Sequence, residues 1–250
     1  KTGKFLLSAY YYQKTAAVHS IGDDGALADP PVVWRETDIG AHYIQTDHAN
    51  KFAFVPHIAR GSLDGANAIF QFLFNEESGS LTPLSPTRVN NRELEGPRHL
   101  AFHPTKNIVY ASNEQGNSVT VYAYDADKGN LHPLQTESTL PSGYSGESSC
   151  SQIQVTPDGN FLYAPNRGHN SIAGFRINPD NGYIASIGQT STEAVPRAFS
   201  IDPQGSFLYA AGLETGKLAS YKINQETGAL DPGEVYDVGK GPMWVMMAEF

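Results

Sequence analysis

The sequence has few of the features that mark membrane-spanning, disulfide-stabilised or nucleic-acid-binding proteins. Its single cysteine, Cys150, excludes an internal disulfide and permits a reducing compartment, so we expect a cytoplasmic location. No apolar run approaches the roughly twenty residues that a membrane span needs. Only 17% of the residues are charged, and the net charge is −9 at pH 7. Because no basic stripe offsets that charge, we expect neither nucleic acid nor a membrane as a partner.

Helical periodicity is missing too, whereas turn-forming residues are abundant. The chain has 24 glycines and 16 prolines, which fits many tight turns between strands rather than disorder. Local catalytic motifs are also absent: there is no Gly-x-Ser-x-Gly elbow, no His-Glu-x-x-His pair and no phosphate-cradling glycine loop. Any active site must therefore be assembled from separate parts of the chain.

The segment Gly96–Glu114 carries the clearest strand pattern. Leu100 and Phe102 alternate with other residues at a period of two, which indicates a strand with one buried face. A turn at 103–107 follows, and the β-branched run at 108–111 predicts a second strand. The pattern recurs every 46 to 56 residues or so, which is about one supersecondary unit per repeat. Its other copies cover 40–55, 150–164 and 195–210.

Each copy is followed by a third predicted strand and then by a turn that ends in Leu or Ile. The third strands are Ile69–Phe74, Val119–Tyr124, Ile172–Ile177 and Leu218–Ile223. Such small antiparallel units cannot bury both sheet faces alone, so they stack radially as propeller blades. We predict an all-β propeller of four-stranded antiparallel blades, with about five blades in a single domain at residues 1–250. The side chains expected between blades are Leu100, Phe102, Ile153, Val155, Phe199 and Ile201.

The two ends of the chain look like parts of one repeat. Residues 1–39 hold a repeat without its first strand, and 241–247 resemble the opening of a first strand. Pairing these ends would close the ring and remove two sheet edges. The start in a turn, without Met, leads us to expect a partial chain that lacks amino-terminal blades. The loop at 58–67 is expected to rim a binding funnel.

Ionisable side chains occupy two equivalent positions in successive repeats. They are His42, Arg98, His99 and Arg197 where first strands open, and His57, Glu114 and Arg167 where second strands end. A radial fold would bring these positions toward a common axis. Desolvating a charge costs several kcal/mol unless it is paired, so a ligand-binding funnel explains these residues better than a structural protein does. A structural salt bridge for Arg98, Arg167 and Glu114, and a hydrogen-bonded core histidine for His42, are the alternatives.

The segment Gly96-Pro97-Arg98-His99-Leu100-Ala101-Phe102-His103-Pro104 with Ser112-Asn113-Glu114 resembles the lactonase family of seven-bladed propellers. That family includes bacterial 6-phosphogluconolactonases and fungal 3-carboxy-cis,cis-muconate cyclases. The resemblance implies a catalytic cluster of one histidine, two arginines and one glutamate. We expect no metal or other cofactor, because Asp64 in the loop at 58–67 is a single carboxylate and cannot supply the six to eight ligands that calcium requires. By motif position the catalytic residues are His42, Arg98, Glu114 and Arg167. We expect His99, Gln152 and Arg197 to bind substrate, although Gln152 stands where the family usually has an acidic residue.

The resemblance implies an enzyme that hydrolyses a sugar-acid lactone, 6-phosphogluconolactone to 6-phosphogluconate. Arg98 and Arg167 would hold a small anionic lactone or carboxylate and stabilise the oxyanion. Glu114 or His42 would activate water as the general base. Two alternatives stay open at this point: cycloisomerisation of 3-carboxy-cis,cis-muconate, which also needs cationic clamps, and a non-catalytic propeller that binds a protein partner on its rim.

Overall fold

A computed structural model describes residues 2–60 and 64–248, and within these residues the regular secondary structure is entirely β-strand. The strands, in chain order, are β1 (Phe5–Tyr10), β2 (Thr15–Ser20), β3 (Val33–Glu36), β4 (Gln45–Thr46), β5 (Phe52–His57), β6 (Ala68–Phe74), β7 (Leu81–Asn90), β8 (Pro97–Phe102), β9 (Ile108–Asn113), β10 (Ser118–Asp125), β11 (Asn130–Ser138), β12 (Ser149–Cys150), β13 (Gln154–Val155), β14 (Phe161–Arg167), β15 (Ser171–Ile177), β16 (Ile184–Ser191), β17 (Pro196–Ile201), β18 (Phe207–Gly212), β19 (Lys217–Ile223) and β20 (Leu230–Asp237). Residues 61–63 of the loop expected to rim a funnel lie outside the described residues.

The strands form five antiparallel sheets, counted over the described residues, and each sheet corresponds to one sequence repeat. The orders are β1-β2-β3, β4-β5-β6-β7, β8-β9-β10-β11, β12-β14-β15-β16 with β13 also on β14, and β17-β18-β19-β20. Neighbours in a sheet are consecutive in the chain, apart from the doubled first strand of the fourth sheet. This meander is the blade pattern that the repeats predict, with the first strand at one edge of the sheet.

By the clustering of Cα positions, the chain divides into two compact units. Unit 1 comprises Lys1–His99 and Ala123–His132, and unit 2 comprises Leu100–Tyr122 and Pro133–Phe250. In unit 1 the core includes a cluster of apolar side chains from β2, β5, β6 and the first residue of β7. Its most deeply buried members are Ala16, Val18, Ala53, Val55 and Leu81, all fully buried.

The core of unit 2 shows why its second strands read as continuous apolar runs. Leu162 and Ala164 of β14 pack into a cluster with Ile108 and Tyr110. The alternate residues of the same strand, Phe161 and Tyr163, pack into a different cluster with Phe199. Successive side chains of a strand point to opposite faces of its sheet, so β14 is buried on both faces. Such a strand needs apolar residues at every position, which hides the alternation.

The predicted inter-blade residues are buried, with one exception. Leu100, Phe102, Ile153, Phe199 and Ile201 are each 8% exposed or less. Val155 is partly buried and packs against the first cluster of unit 2.

Two predicted first strands are shorter than the sequence pattern suggests. The strand expected from His42 is regular only at β4, and the strand expected at 150–155 splits into β12 and β13. In that break, the hydroxyl of Ser151 donates a hydrogen bond to the carbonyl of Pro196 (2.8 Å). The expected strand at 241–247 does not form: residues 241–248 have no regular secondary structure, and Met243, Trp244 and Met246 are exposed. A strand needs a hydrogen-bonding neighbour, which the sequence pattern alone does not supply.

Candidate functional site

Two of the predicted catalytic side chains form an ion pair in unit 2. Glu114 directly follows β9, and Arg167 is the last residue of β14. Their Oε2 and Nη2 atoms lie 3.2 Å apart, and the side chains are only 17% and 12% exposed, respectively. Partial burial lowers the effective dielectric around such a pair and strengthens the interaction of both charges with each other and with a ligand.

Backbone carbonyl groups fix the orientation of Arg167. Its Nη2 donates to the carbonyl of Cys150 at 2.7 Å, and its Nε donates more weakly to the carbonyl of Ser149 at 3.4 Å. Both carbonyls belong to β12, which pairs with β14 and places Ser149 opposite Arg167. The guanidinium is therefore held along two of its edges, with Glu114 as its charged partner.

Arg197 completes a charged cluster with this pair. It is the second residue of β17 and is half-buried. Burial lowers the pKa of Arg197, the positive charge of Arg167 lowers it further, and the carboxylate of Glu114 partly opposes both effects. We refer to these three residues as the Glu114–Arg167–Arg197 cluster, which carries one net positive charge and suits an anionic ligand.

Gln152 hydrogen-bonds to the backbone of β17. It is 6% exposed, and its side-chain oxygen accepts a hydrogen bond from the backbone N–H of Phe199 at 2.9 Å. Gln154 similarly accepts from Ile201 N–H at 2.9 Å and donates to the carbonyl of Phe199 at 3.2 Å. These two glutamine side chains therefore provide hydrogen-bond partners for backbone groups of Phe199 and Ile201 in β17. The oxygen of Gln152 is thereby used, so a role in substrate binding would fall to its amide nitrogen.

The predicted histidines lie together in unit 1. The rings of His42 and His99 have centroids 5.4 Å apart, and Tyr43 stacks on His99 at 4.5 Å with an interplanar angle of 11°. Burial raises the pKa of Tyr43, so the phenol stays protonated near neutral pH. Arg98, the neighbour of His99 in β8, is only 3% exposed. The expectation that His42 and Arg98 share a cleft with Glu114 and Arg167 stays a prediction.

The sequence analysis missed Tyr43 as part of the histidine group. The repeats differ most clearly at His, Arg and Glu positions. A tyrosine is not distinctive, because many strand residues of this chain are aromatic or apolar. Its position directly after His42 is the signal that could have identified it. The apolar stack shields one face of His99 from water, which restricts the orientations that its ring can adopt.

Comparisons with known proteins agree with the pattern of sheets. The sequence model of a family described as "Lactonase, 7-bladed beta-propeller" matches residues 1–247. A 6-phosphogluconolactonase from Erwinia tasmaniensis is 33% identical over 247 residues, which are 99% of this chain and 72% of the relative. A 6-phosphogluconolactonase from Pectobacterium atrosepticum is 34% identical over 244 residues, covering 97% of this chain and 71% of the relative.

A solved structure confirms the predicted fold class. The periplasmic gluconolactonase of Pseudomonas aeruginosa superimposes with a TM-score of 0.85 at 24% identity, covering 95% of this chain and 68% of that one. At that identity the likeness concerns the fold alone. Together with the family match, it confirms an all-β propeller built from four-stranded antiparallel blades. No helix long and apolar enough to cross a membrane occurs in the part of the chain that the structure describes.

Proposed function

Because the chain belongs to the lactonase family of seven-bladed β-propellers, we propose that it is a lactone hydrolase that converts 6-phosphogluconolactone to 6-phosphogluconate. The observation that carries the proposal is the Glu114–Arg167–Arg197 cluster, a partly buried carboxylate–guanidinium ion pair in unit 2 with a second guanidinium close enough to interact with both charges. The names of the relatives at 33% and 34% identity support hydrolysis rather than muconate cyclisation. The location that we propose is the cytoplasm, a reducing compartment that the single cysteine permits.

The proposed reaction needs one base and one group that stabilises negative charge. Glu114 takes a proton from water while the water oxygen bonds to the lactone carbonyl carbon. The carbonyl oxygen then carries negative charge, which a guanidinium stabilises by charge-assisted hydrogen bonds. When the ring C–O bond breaks, the leaving oxygen takes the proton back from Glu114, and the product is an open-chain hydroxy acid.

His42 and Arg98 enter the proposal through their match to the motif of the family. His42 is the alternative base, and Arg98 is the second cationic group for the oxyanion. We assign the base to Glu114 rather than to His42, because the ion pair with Arg167 at 3.2 Å holds the Glu114 carboxylate in a fixed orientation. In this arrangement Arg167 orients Glu114 and contributes positive charge.

The proposal is tested by assaying the purified protein with 6-phosphogluconolactone and 3-carboxy-cis,cis-muconate side by side. Proton release above the spontaneous rate is expected with the lactone only. Glu114→Gln should lower kcat by about a hundredfold with little change in KM, since loss of a general base typically costs about 10² to 10⁴ in rate.

Glu234→Gln serves as the matched control, because Glu234 is an exposed carboxylate on β20 of the same unit. It should leave both kcat and KM unchanged. A wild-type protein that cyclises muconate and leaves the lactone untouched would refute the proposed function. A Glu114→Gln variant that keeps its turnover but melts at a lower temperature would assign the Glu114–Arg167 pair a structural role instead.

A further inference from the structure

Arg197 occupies a β-bulge, an irregularity that redirects a side chain. In the pairing of β17 with β18, Pro196 lies opposite Gly212 and Ala198 lies opposite Ala211. Arg197 is the extra residue between them and has no opposite residue on β18. Bulges of this kind are common next to active sites, where they re-aim one side chain without disturbing the rest of the sheet.

The backbone directly before Arg197 is also strained. Val195 has a φ of +55°, a left-handed conformation that β-branched residues rarely adopt. Two other repeats have a glycine at this point, Gly40 before His42 and Gly96 before Arg98, with φ values of +89° and +68°. In the Arg197 repeat, hydrogen bonds hold the valine in that conformation: its N–H donates to Asn170 Oδ1 at 2.9 Å, and its carbonyl accepts from Leu213 at 3.0 Å. Strain that is maintained in this way is typical of functional positions.

The guanidinium of Arg197 differs from that of Arg167 in its contacts. Arg167 is bound to Glu114 and to two backbone carbonyls. Over residues 2–60 and 64–248, Arg197 has no hydrogen-bond or ion-pair partner, although it is half-buried. Its positive charge is also disfavoured by burial and by Arg167. An anion placed against Arg197 would offset these effects, because a nearby opposite charge favours the charged form.

We infer that Arg197 binds the phosphate group of the substrate and makes the site selective for phosphorylated lactones. This inference rests on the proposed function, in which the substrate is a phosphorylated lactone. The phosphate is the only charged group of that substrate before the ring opens. A planar guanidinium matches phosphate oxygens at two points, and the donors of Arg197 are not used by any residue that the structure describes. Arg167 and Glu114 are left to act on the lactone carbonyl.

The test compares kcat/KM for 6-phosphogluconolactone and for glucono-δ-lactone, which lacks the phosphate. Arg197→Gln should reduce kcat/KM for the phosphorylated lactone by about 10- to 100-fold, the usual range for loss of a charge-assisted hydrogen bond. It should change kcat/KM for glucono-δ-lactone less than about threefold. Arg197→Lys should recover part of the loss, since an ammonium keeps the charge but not the two-point contact.

Arg176→Gln is the matched control, because Arg176 is an exposed arginine on β15 of the same unit whose Nη2 bonds to the backbone carbonyl of Glu226. It should leave the ratio of the two kcat/KM values unchanged. An equal loss on both lactones with Arg197→Gln, or no loss on either, would overturn the inference.

Binding of the reaction product separates this inference from the proposed function. By calorimetry, the wild-type protein should bind 6-phosphogluconate more tightly than gluconate, and Arg197→Gln should abolish that difference. If the wild type hydrolyses neither lactone but shows this Arg197-dependent preference, the proposed function fails and the phosphate site stands. If Arg197→Gln retains the preference for 6-phosphogluconate, the phosphate site is wrong whatever the enzyme hydrolyses.

Discussion

At the scale of single residues, Val195 is the clearest case of a side chain placed against its conformational preference. A left-handed conformation costs an L-residue about 1–2 kcal/mol because Cβ approaches the following carbonyl oxygen, and glycine does not incur this cost. Val195 adopts φ +55° directly before Pro196 and Arg197. The energetic penalty therefore lies at the turn that sets the direction of Arg197.

The strain at Val195 predicts a reversal of the usual order of alanine and glycine. Val195→Gly should be more stable than Val195→Ala by about 1 kcal/mol, because alanine keeps the left-handed penalty and glycine removes it. The free energies of unfolding from denaturant titration of the two variants measure this difference.

The control for this prediction is Val235, an exposed residue of β20 whose φ is not positive. There the alanine variant should be at least as stable as the glycine variant, since glycine in a strand loses more conformational entropy on folding. The idea that Val195 is strained fails if Val195→Ala is the more stable of the two variants at position 195.

Individual site residues could be predicted only where they occupy equivalent positions in different sequence repeats. Arg197 was found because Pro196-Arg197 repeats Pro97-Arg98 at the same point of the template. The bulge at Arg197 could not be predicted, because valine at 195 gives no sign of a positive φ, whereas glycine at 96 does. The pairing of Arg167 with Glu114 likewise depends on the register between repeats, which the sequence does not state.

At the scale of elements, tyrosines on the second strands tie neighbouring sheets together. In unit 2, Tyr110 on β9 donates to the carbonyl of Gly182 at 2.9 Å, and Tyr163 on β14 donates to the carbonyl of Gly228 at 2.7 Å. Both glycines sit in the turn between a third and a fourth strand and have φ of about +75°. The same bond therefore recurs between successive sheets of this unit.

Tyr163→Phe is expected to lower the free energy of unfolding by about 1–2 kcal/mol. Tyr163 is fully buried, and the substitution leaves the carbonyl of Gly228 without this donor. Chemical denaturation measures the loss. Tyr183→Phe, at a tyrosine that is 40% exposed, is the control and should change stability by less than about 0.5 kcal/mol. An equal effect in both variants would show that the hydroxyl of Tyr163 contributes nothing specific.

The positions of most strands could be predicted from the sequence, because turns rich in Gly, Asn and Pro separate runs of β-branched and aromatic residues. The second strand predicted at 161–164 lies within β14, and the third strand predicted at 172–177 lies within β15. The first strand at 150–155 was predicted as continuous and is broken. Its side chains Ser151 and Gln152 bond to the backbone of the next repeat, and a periodicity of apolar residues carries no information about such bonds.

At the scale of the whole molecule, one buried histidine links folding to pH. His57, the last residue of β5, is fully buried against the ring of Phe70. Its Nδ1–H donates to the carbonyl of Val55 at 2.8 Å, while its Nε2 has no hydrogen-bond partner among the described residues. Burial lowers the pKa of His57 to about 4, against partial opposition from the Val55 carbonyl and the charge of Asp38. Arg88 acts in the same direction as burial.

This lowered pKa predicts that acid destabilises the protein in a defined range of pH. The folded state resists protonation of His57, whereas the unfolded chain takes up the proton near pH 6.5, so the unfolded state binds more protons between about pH 6.5 and 4. The contribution of neutral His57 to the free energy of unfolding is complete above pH 6.5. It is lost as pH falls toward 4, by up to about 3 kcal/mol.

Urea denaturation across this range should show the free energy of unfolding falling as pH falls. In His57→Gln the slope should be smaller by up to one proton, whereas His132→Gln, at an exposed histidine, should keep the wild-type slope. Equal slopes in the wild type and His57→Gln would mean that His57 does not couple protonation to folding.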